Sequence, residues 1–113
     1  MTNATVTPLT PVIGGEIEGI DLATPISDAE ASFIRQALLD HHVVFFRNQA
    51  LDHEQHKAVG NLFGELVKVP FVESVPCHPE IFEIIKLPEE CGVYNFGGNW
   101  HTDMSYMQEP ALV

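Results

Sequence analysis

Two residues near the end of the sequence have types and spacing suited to metal chemistry. His101 and Asp103 are separated by one residue, within Asn99-Trp100-His101-Thr102-Asp103-Met104-Ser105-Tyr106. In an extended chain, residues i and i+2 point to the same face. One short segment can then aim an imidazole nitrogen and a carboxylate oxygen at a single point. With one further His, such a pair makes a two-His-one-carboxylate facial triad. That triad holds iron(II) on three octahedral positions and leaves three open for a bidentate co-substrate and oxygen. The metal, rather than the protein, then carries the redox step. The bare spacing also has a plainer reading, a strand histidine beside a surface aspartate. A structural zinc site is a third reading. Structural zinc prefers four ligands rich in Cys and His, and Cys77, His78 and Cys91 match no zinc spacing. The flanks favour a metal: Trp100 and Thr102 are expected to face away from it, pack beneath the ligands and stiffen them.

The elements that must position this pair can be read from pattern. Residues 8–22, PLTPVIGGEIEGIDL, break their isoleucines with glycines and fit short strands with turns. Ser27 and Glu30 form a capping-box signal, and Phe33, Ile34, Ala37, Leu38 and His41 follow at helical spacing as one apolar stripe. Val43-Val44-Phe45-Phe46 reads as a strand buried on both faces. Asp52 and Gln55 repeat the capping signal before a second helix carrying Ala58, Val59, Leu62, Phe63 and Leu66, with Gly64 weakening its end. Three prolines, at 70, 76 and 79, mark an irregular segment. Residues 81–87, IFEIIKL, read as a further strand, followed by a loop over 88–98 rich in Gly and acidic residues. There is no internal repeat, low-complexity tract or clear linker, so 113 residues suggest one domain or part of one. The end, Glu109-Pro110-Ala111-Leu112-Val113, reads as the start of a new strand, so a fragment is expected.

Composition narrows the function classes. Apolar residues make up 45% and charged residues 19%, as in globular chains. Five Lys plus Arg against sixteen Asp plus Glu give a formal charge of −11, which disfavours nucleic acid and anionic membranes as partners. No apolar run approaches the ~20 residues that span a bilayer. The polar start, Met1 to Thr10, lacks the marks of a signal peptide, so a cytoplasmic location is expected. Cys77 and Cys91 are expected to be free thiols. His53 and His56 are expected to be exposed on the second helix, and His41 and His42 to close the first, where the helix dipole suits them.

From about Leu9 to Val113 the chain resembles the taurine dioxygenase and 2,4-dichlorophenoxyacetate dioxygenase family. The likeness lies in PLTPVIGGEIEGIDL with its capped helix, in HHVVFFRNQ with LDHEQHKAVGNLFGEL behind it, and in NWHTDMSYMQEP. The resemblance implies an α+β chain, residues 1–113, forming the N-terminal and incomplete part of a double-stranded β-helix (jelly-roll) with flanking helices. It implies iron(II) held by His101 and Asp103. The implied reaction couples decarboxylation of 2-oxoglutarate, to succinate and carbon dioxide, with hydroxylation of an unactivated C–H bond. In taurine-like substrates the hydroxylated carbon then sheds sulfite. The family's third ligand, a distal His, and its 2-oxoglutarate-gripping Arg and Thr fall beyond Val113.

Departures from the taurine pattern bear on substrate. Where the taurine enzyme has a substrate-contacting His and Tyr, this chain has Val69 and Val72, and Gly97 replaces an Asn four residues before the metal His. A more apolar pocket is implied, suited to another sulfonate, a sulfate ester, a carboxylate or a phenoxy acid. The expected partner is a small molecule, and a homo-oligomer is an open option for the complete enzyme. The competing reading is a non-catalytic remnant, or one half of a split enzyme acting through association.

Overall fold

The computed structural model describes residues 3–90, 95 and 97–110. The expectations for Cys91, for the rest of the loop over 91–94 and 96, and for a strand starting at 111–113 lie outside the described residues. The chain divides into two compact units, residues 1–65 and 66–113.

The first unit is a three-stranded sheet with two helices. Strand β1 (Thr5–Pro8) pairs antiparallel with β2 (Gly15–Glu18), from Thr5 opposite Glu18 to Pro8 opposite Gly15. Helix α1 (Asp28–His41) follows and leads into β3 (Val44–Phe45), which lies parallel to β2 with Gly15 opposite Val44. Helix α2 (His53–Gly60) closes the unit. The turns expected between the short strands are present, although β1 begins at Thr5, inside the stretch read as a polar lead-in.

Both capping boxes form. Ser27 accepts from the Glu30 backbone N–H while Glu30 reaches back to the Ser27 N–H at 2.9 Å. Asp52 and Gln55 do the same at 2.8 Å in each direction. Glu30 also accepts from the Ser27 hydroxyl at 2.6 Å. That bond, then the backbone bond, lowers the Glu30 pKa from its ordinary 4.5. A carboxylate whose folded-state pKa is depressed stabilises the fold above its ordinary value and loses that contribution as pH falls through the lowered one. Ser27→Ala removes the cap itself and should cost about 1 kcal/mol of unfolding free energy, the usual worth of an N-cap. In urea titrations the difference from wild type should shrink as the pH falls below 4.5.

The apolar stripe of α1 is realised. Ile34, 1% exposed, packs with Ala37 against Ile17, Ile20 and Leu22, and Phe33, Val44, Phe46, Leu51, Val59, Leu62 and Phe63 lie around them. Gly15 is required by close approach. A Cβ there would stand 2.9 Å from the His41 ring and 2.9 Å from Val6 Cγ2. His41 ends α1, and His42 caps it in the left-handed region with φ 65°. His53 and His56 are exposed, as expected.

Three expectations are corrected. Strand β3 is not buried on both faces: Val44 and Phe46 join the core, while Val43 is 40% and Phe45 43% exposed. The reason is its edge position in the order β1-β2-β3, with α1 packed against the sheet. Helix α2 stops at Gly60, short of Leu66, although Leu62 and Phe63 still reach the core from the turn beyond it. Residues 81–87 form no strand, because no described residue pairs with them in a ladder. Ile84, Ile85 and Leu87 are exposed.

The second unit holds no helix or multi-residue strand among its described residues. A local bridge between Val75 and His78, the Val75 N–H to Ile81 carbonyl bond at 2.8 Å and the Ser74 hydroxyl to Pro79 carbonyl bond at 2.9 Å order its first half. Cys77 there is an exposed free thiol, as expected. No helix among the described residues is long and apolar enough to cross a membrane.

Candidate active site

The second unit carries His101 and Asp103. His101 Nε2 and Asp103 Oδ1 stand 3.1 Å apart. On the other side of the ring, Nδ1 lies 2.6 Å from the Asn99 carbonyl, so Nδ1–H donates to that oxygen. This bond accounts for the Nδ1 proton; in the protonated ring Nε2–H donates to the Asp103 carboxylate, and in the neutral ring Nε2 is the nitrogen left unprotonated. The Asn99 carbonyl, and then the Asp103 charge, raise the His101 pKa. A proton on Nε2 must leave before that nitrogen can hold a metal.

The donor set fits two corners of a metal site. Ligands at about 2.1 Å and at right angles on an octahedron are about 3.0 Å apart. The observed 3.1 Å matches that edge. Both side chains are accessible, at 50% for His101 and 91% for Asp103. Among the described residues no group of three or more His, Cys, Asp and Glu side chains could hold a metal.

An open hollow of about 360 Å³ lies beside the pair, entirely within the second unit. Val69, Pro70 and Val72 line it from the proline-marked segment, and Gly97, Gly98 and Asn99 from the stretch before the histidine. His101, Thr102, Asp103, Met104 and Tyr106 complete the lining. The three positions that depart from the taurine pattern, Val69, Val72 and Gly97, thus share one hollow with the candidate ligands. Gly97 has φ 71°, a conformation L side chains rarely adopt, and a Cβ there would stand 3.6 Å from His101 Cε1. The glycine leaves the imidazole edge open to the hollow.

The flanks of the pair behave differently from expectation. Residues 99–106 form bends and a turn rather than a strand, so strict alternation does not apply. Trp100 is fully exposed and does not pack beneath the ligands. Thr102 faces the hollow, and its hydroxyl bonds that of Ser105 at 2.6 Å. Pro70, Met104 and Tyr106 are lining residues that sequence reasoning missed. For Tyr106 the sequence holds a signal, an aromatic three residues beyond a candidate ligand; the signal of Pro70 is that of a breaker alone.

A family model described as the taurine catabolism dioxygenase TauD, TfdA family matches residues 5–113. The chain belongs to this family. It is 40% identical over 101 residues to an alkylsulfatase of Acinetobacter baylyi (strain ATCC 33305 / BD413 / ADP1), a match covering 88% of this chain and 30% of that protein. It is 32% identical over 97 residues to an alpha-ketoglutarate-dependent sulfate ester dioxygenase of Pseudomonas putida, covering 85% of this chain and 31% of that one. The crystal structure of a taurine dioxygenase from Burkholderia xenovorans is similar with a TM-score of 0.63 and 44% identity, over 67% of this chain and 28% of that chain. This TauD/TfdA-family chain therefore spans about a third of the length of the curated relatives it matches.

Proposed function

We propose that this TauD/TfdA-family chain is the amino-terminal part of an iron(II)- and 2-oxoglutarate-dependent dioxygenase. Its substrate is a small organic sulfonate, sulfate ester or carboxylate, and His101 and Asp103 are two of three iron ligands. The observation that carries this reading is the 3.1 Å Nε2–Oδ1 pair opening on a partly apolar hollow, in a chain of this family. The names of the relatives, an alkylsulfatase and a sulfate ester dioxygenase, favour a sulfate ester over a taurine-like sulfonate. The departures at Val69 and Val72 point the same way, since an alkyl chain gains by leaving water for an apolar wall.

Bound iron(II) would supply the chemistry that couples 2-oxoglutarate decarboxylation to C–H hydroxylation. The residues of this chain prepare the site for it. Asn99 holds His101 in the tautomer that presents Nε2. Asp103 supplies one negative charge beside it. Val69, Pro70 and Val72 give the carbon part of a substrate a surface on which to lie. In this reading the rest of the protein completes a jelly-roll and brings the third ligand and the groups that grip 2-oxoglutarate, in a cytoplasmic enzyme.

The test uses the full natural protein containing these residues, with iron(II), 2-oxoglutarate and a panel of alkyl sulfates, alkyl sulfonates and carboxylates. Succinate formation should rise with at least one of them, alkyl sulfates first. A panel in which none raises succinate above the substrate-free rate would refute the proposal. The isolated 113-residue chain should show no decarboxylation, because two protein ligands bind iron more weakly than three. Stoichiometric turnover by that chain would overturn the need for a third ligand.

A further inference from the structure

We propose that Thr102 and Ser105 form a hydroxyl clamp that positions Asp103 for metal binding. This inference rests on the reading of His101 and Asp103 as ligands. Asp103 sits in a bend, where no strand ladder fixes its backbone. Its carboxylate is 91% exposed and lies against His101 Nε2. Trp100, the bulky neighbour expected to buttress it, is fully exposed. The bond between Thr102 Oγ1 and Ser105 Oγ, at 2.6 Å, spans the two residues between them, Asp103 and Met104. Met104 lies in the left-handed region with φ 49°, a conformation a non-glycine side chain adopts only when its surroundings impose it.

Among the described residues no backbone hydrogen bond joins Thr102 to Ser105; the nearest runs from the Met107 N–H, outside that segment, to the Met104 carbonyl within it at 2.9 Å. The two hydroxyls therefore cross-link the bend at Asp103. A cross-link there limits the orientations of the carboxylate before the metal arrives, so less freedom is lost on binding. His101 has its own restraint in the Asn99 carbonyl, so each ligand is oriented by a different local bond. Thr102 and Ser105 are positioning residues and touch no reacting atom in this scheme.

The experiment is a titration of the full natural protein with Co(II), followed by its visible absorption, with thermal unfolding of each apo variant in parallel. Thr102→Val and Ser105→Ala should each weaken Co(II) binding by about tenfold, the lower end of the range for groups supporting a ligand. Thr102→Ser and Ser105→Thr, which keep the hydroxyls, should stay within about twofold of wild type. The Thr102→Val/Ser105→Ala double variant should match either single one, because both remove the same bond. Wild-type binding by the single variants, equal losses in Thr102→Ser and Thr102→Val, or multiplicative losses in the double variant would each overturn the clamp. His101→Ala separates the clamp from its premise. Loss of Co(II) binding in His101→Ala alongside unchanged binding in Ser105→Ala rejects the clamp alone, whereas wild-type binding in His101→Ala rejects the ligand assignment and the clamp with it.

Discussion

Alanine at His101 or at Asp103 is expected to abolish substrate-dependent succinate formation by the full natural protein, a loss of at least about a hundredfold. The magnitude follows from what remains. Changes in the groups that merely support a ligand cost about 10–100-fold in affinity or activity, so deleting a ligand outright should cost at least the upper end of that range. The two deletions also differ in kind. His101→Ala removes a neutral nitrogen donor, whereas Asp103→Ala removes the negative charge that offsets the cation. Asp103→Asn keeps shape and loses charge, so its deficit should lie close to that of Asp103→Ala. Succinate release with and without substrate, measured at saturating iron(II), reads the result directly. Near-normal turnover in either alanine variant would remove that residue from the metal.

The second large effect concerns stability. Ile34 is the most buried side chain of the chain's described residues, at 1% exposure, and packs among Ile17, Ile20, Leu22 and Ala37. Truncating a buried Ile to Ala loses transfer free energy and leaves a cavity, together about 2–5 kcal/mol. The core here is small, since only six hydrophobic residues are buried among the described ones. Small domains carry little surplus stability, so Ile34→Ala should bring the first unit close to unfolding. Ile34→Val should cost only about 0.5–1.5 kcal/mol. Urea denaturation followed by circular dichroism measures both. A loss below about 1 kcal/mol for Ile34→Ala would mean that the packing around α1 is not what holds the sheet.

What could be read from sequence was the part decided by neighbours three or four residues apart. Ser27 with Glu30 and Asp52 with Gln55 fix helix starts through local hydrogen bonds, and both boxes form. The stripe through Ile34 and Ala37 follows from helical periodicity and buries as expected. What depended on distant partners was misread. Four apolar residues at 43–46 look the same in a central strand and in an edge strand; only the sheet order tells them apart. Residues 81–87 have strand composition, yet a strand exists only when another backbone accepts its hydrogen bonds. At the site, the residue types and spacing of His101 and Asp103 were legible, whereas their 3.1 Å approach arises without the extended strand from which convergence was expected. The orientation of Trp100 was not, because alternation presupposes a strand that residues 99–106 do not form. The convergence of Val69, Val72 and Gly97 on one hollow was legible only through the resemblance, since no periodicity links positions 69 and 97.

Gln55 shows how one amide can restrict the choice of residue at its position. Its Oε1 accepts from the Asp52 N–H at 2.8 Å, and its Nε2 donates to the Ala23 carbonyl at 2.9 Å. A glutamate would serve the cap as well as glutamine does, because capping asks only for an acceptor. It would also turn an oxygen lone pair toward the Ala23 carbonyl, acceptor against acceptor. Gln49 reaches the same region of chain, accepting from the Leu22 N–H at 2.9 Å. The stretch between β2 and α1 is thus sewn to the stretch around α2 by two carboxamides, each using a donor or acceptor that a carboxylate or an ammonium group could supply only in part. At position 55, substitutions that pass for conservative by size and polarity would therefore trade a two-sided fastening for a one-sided one.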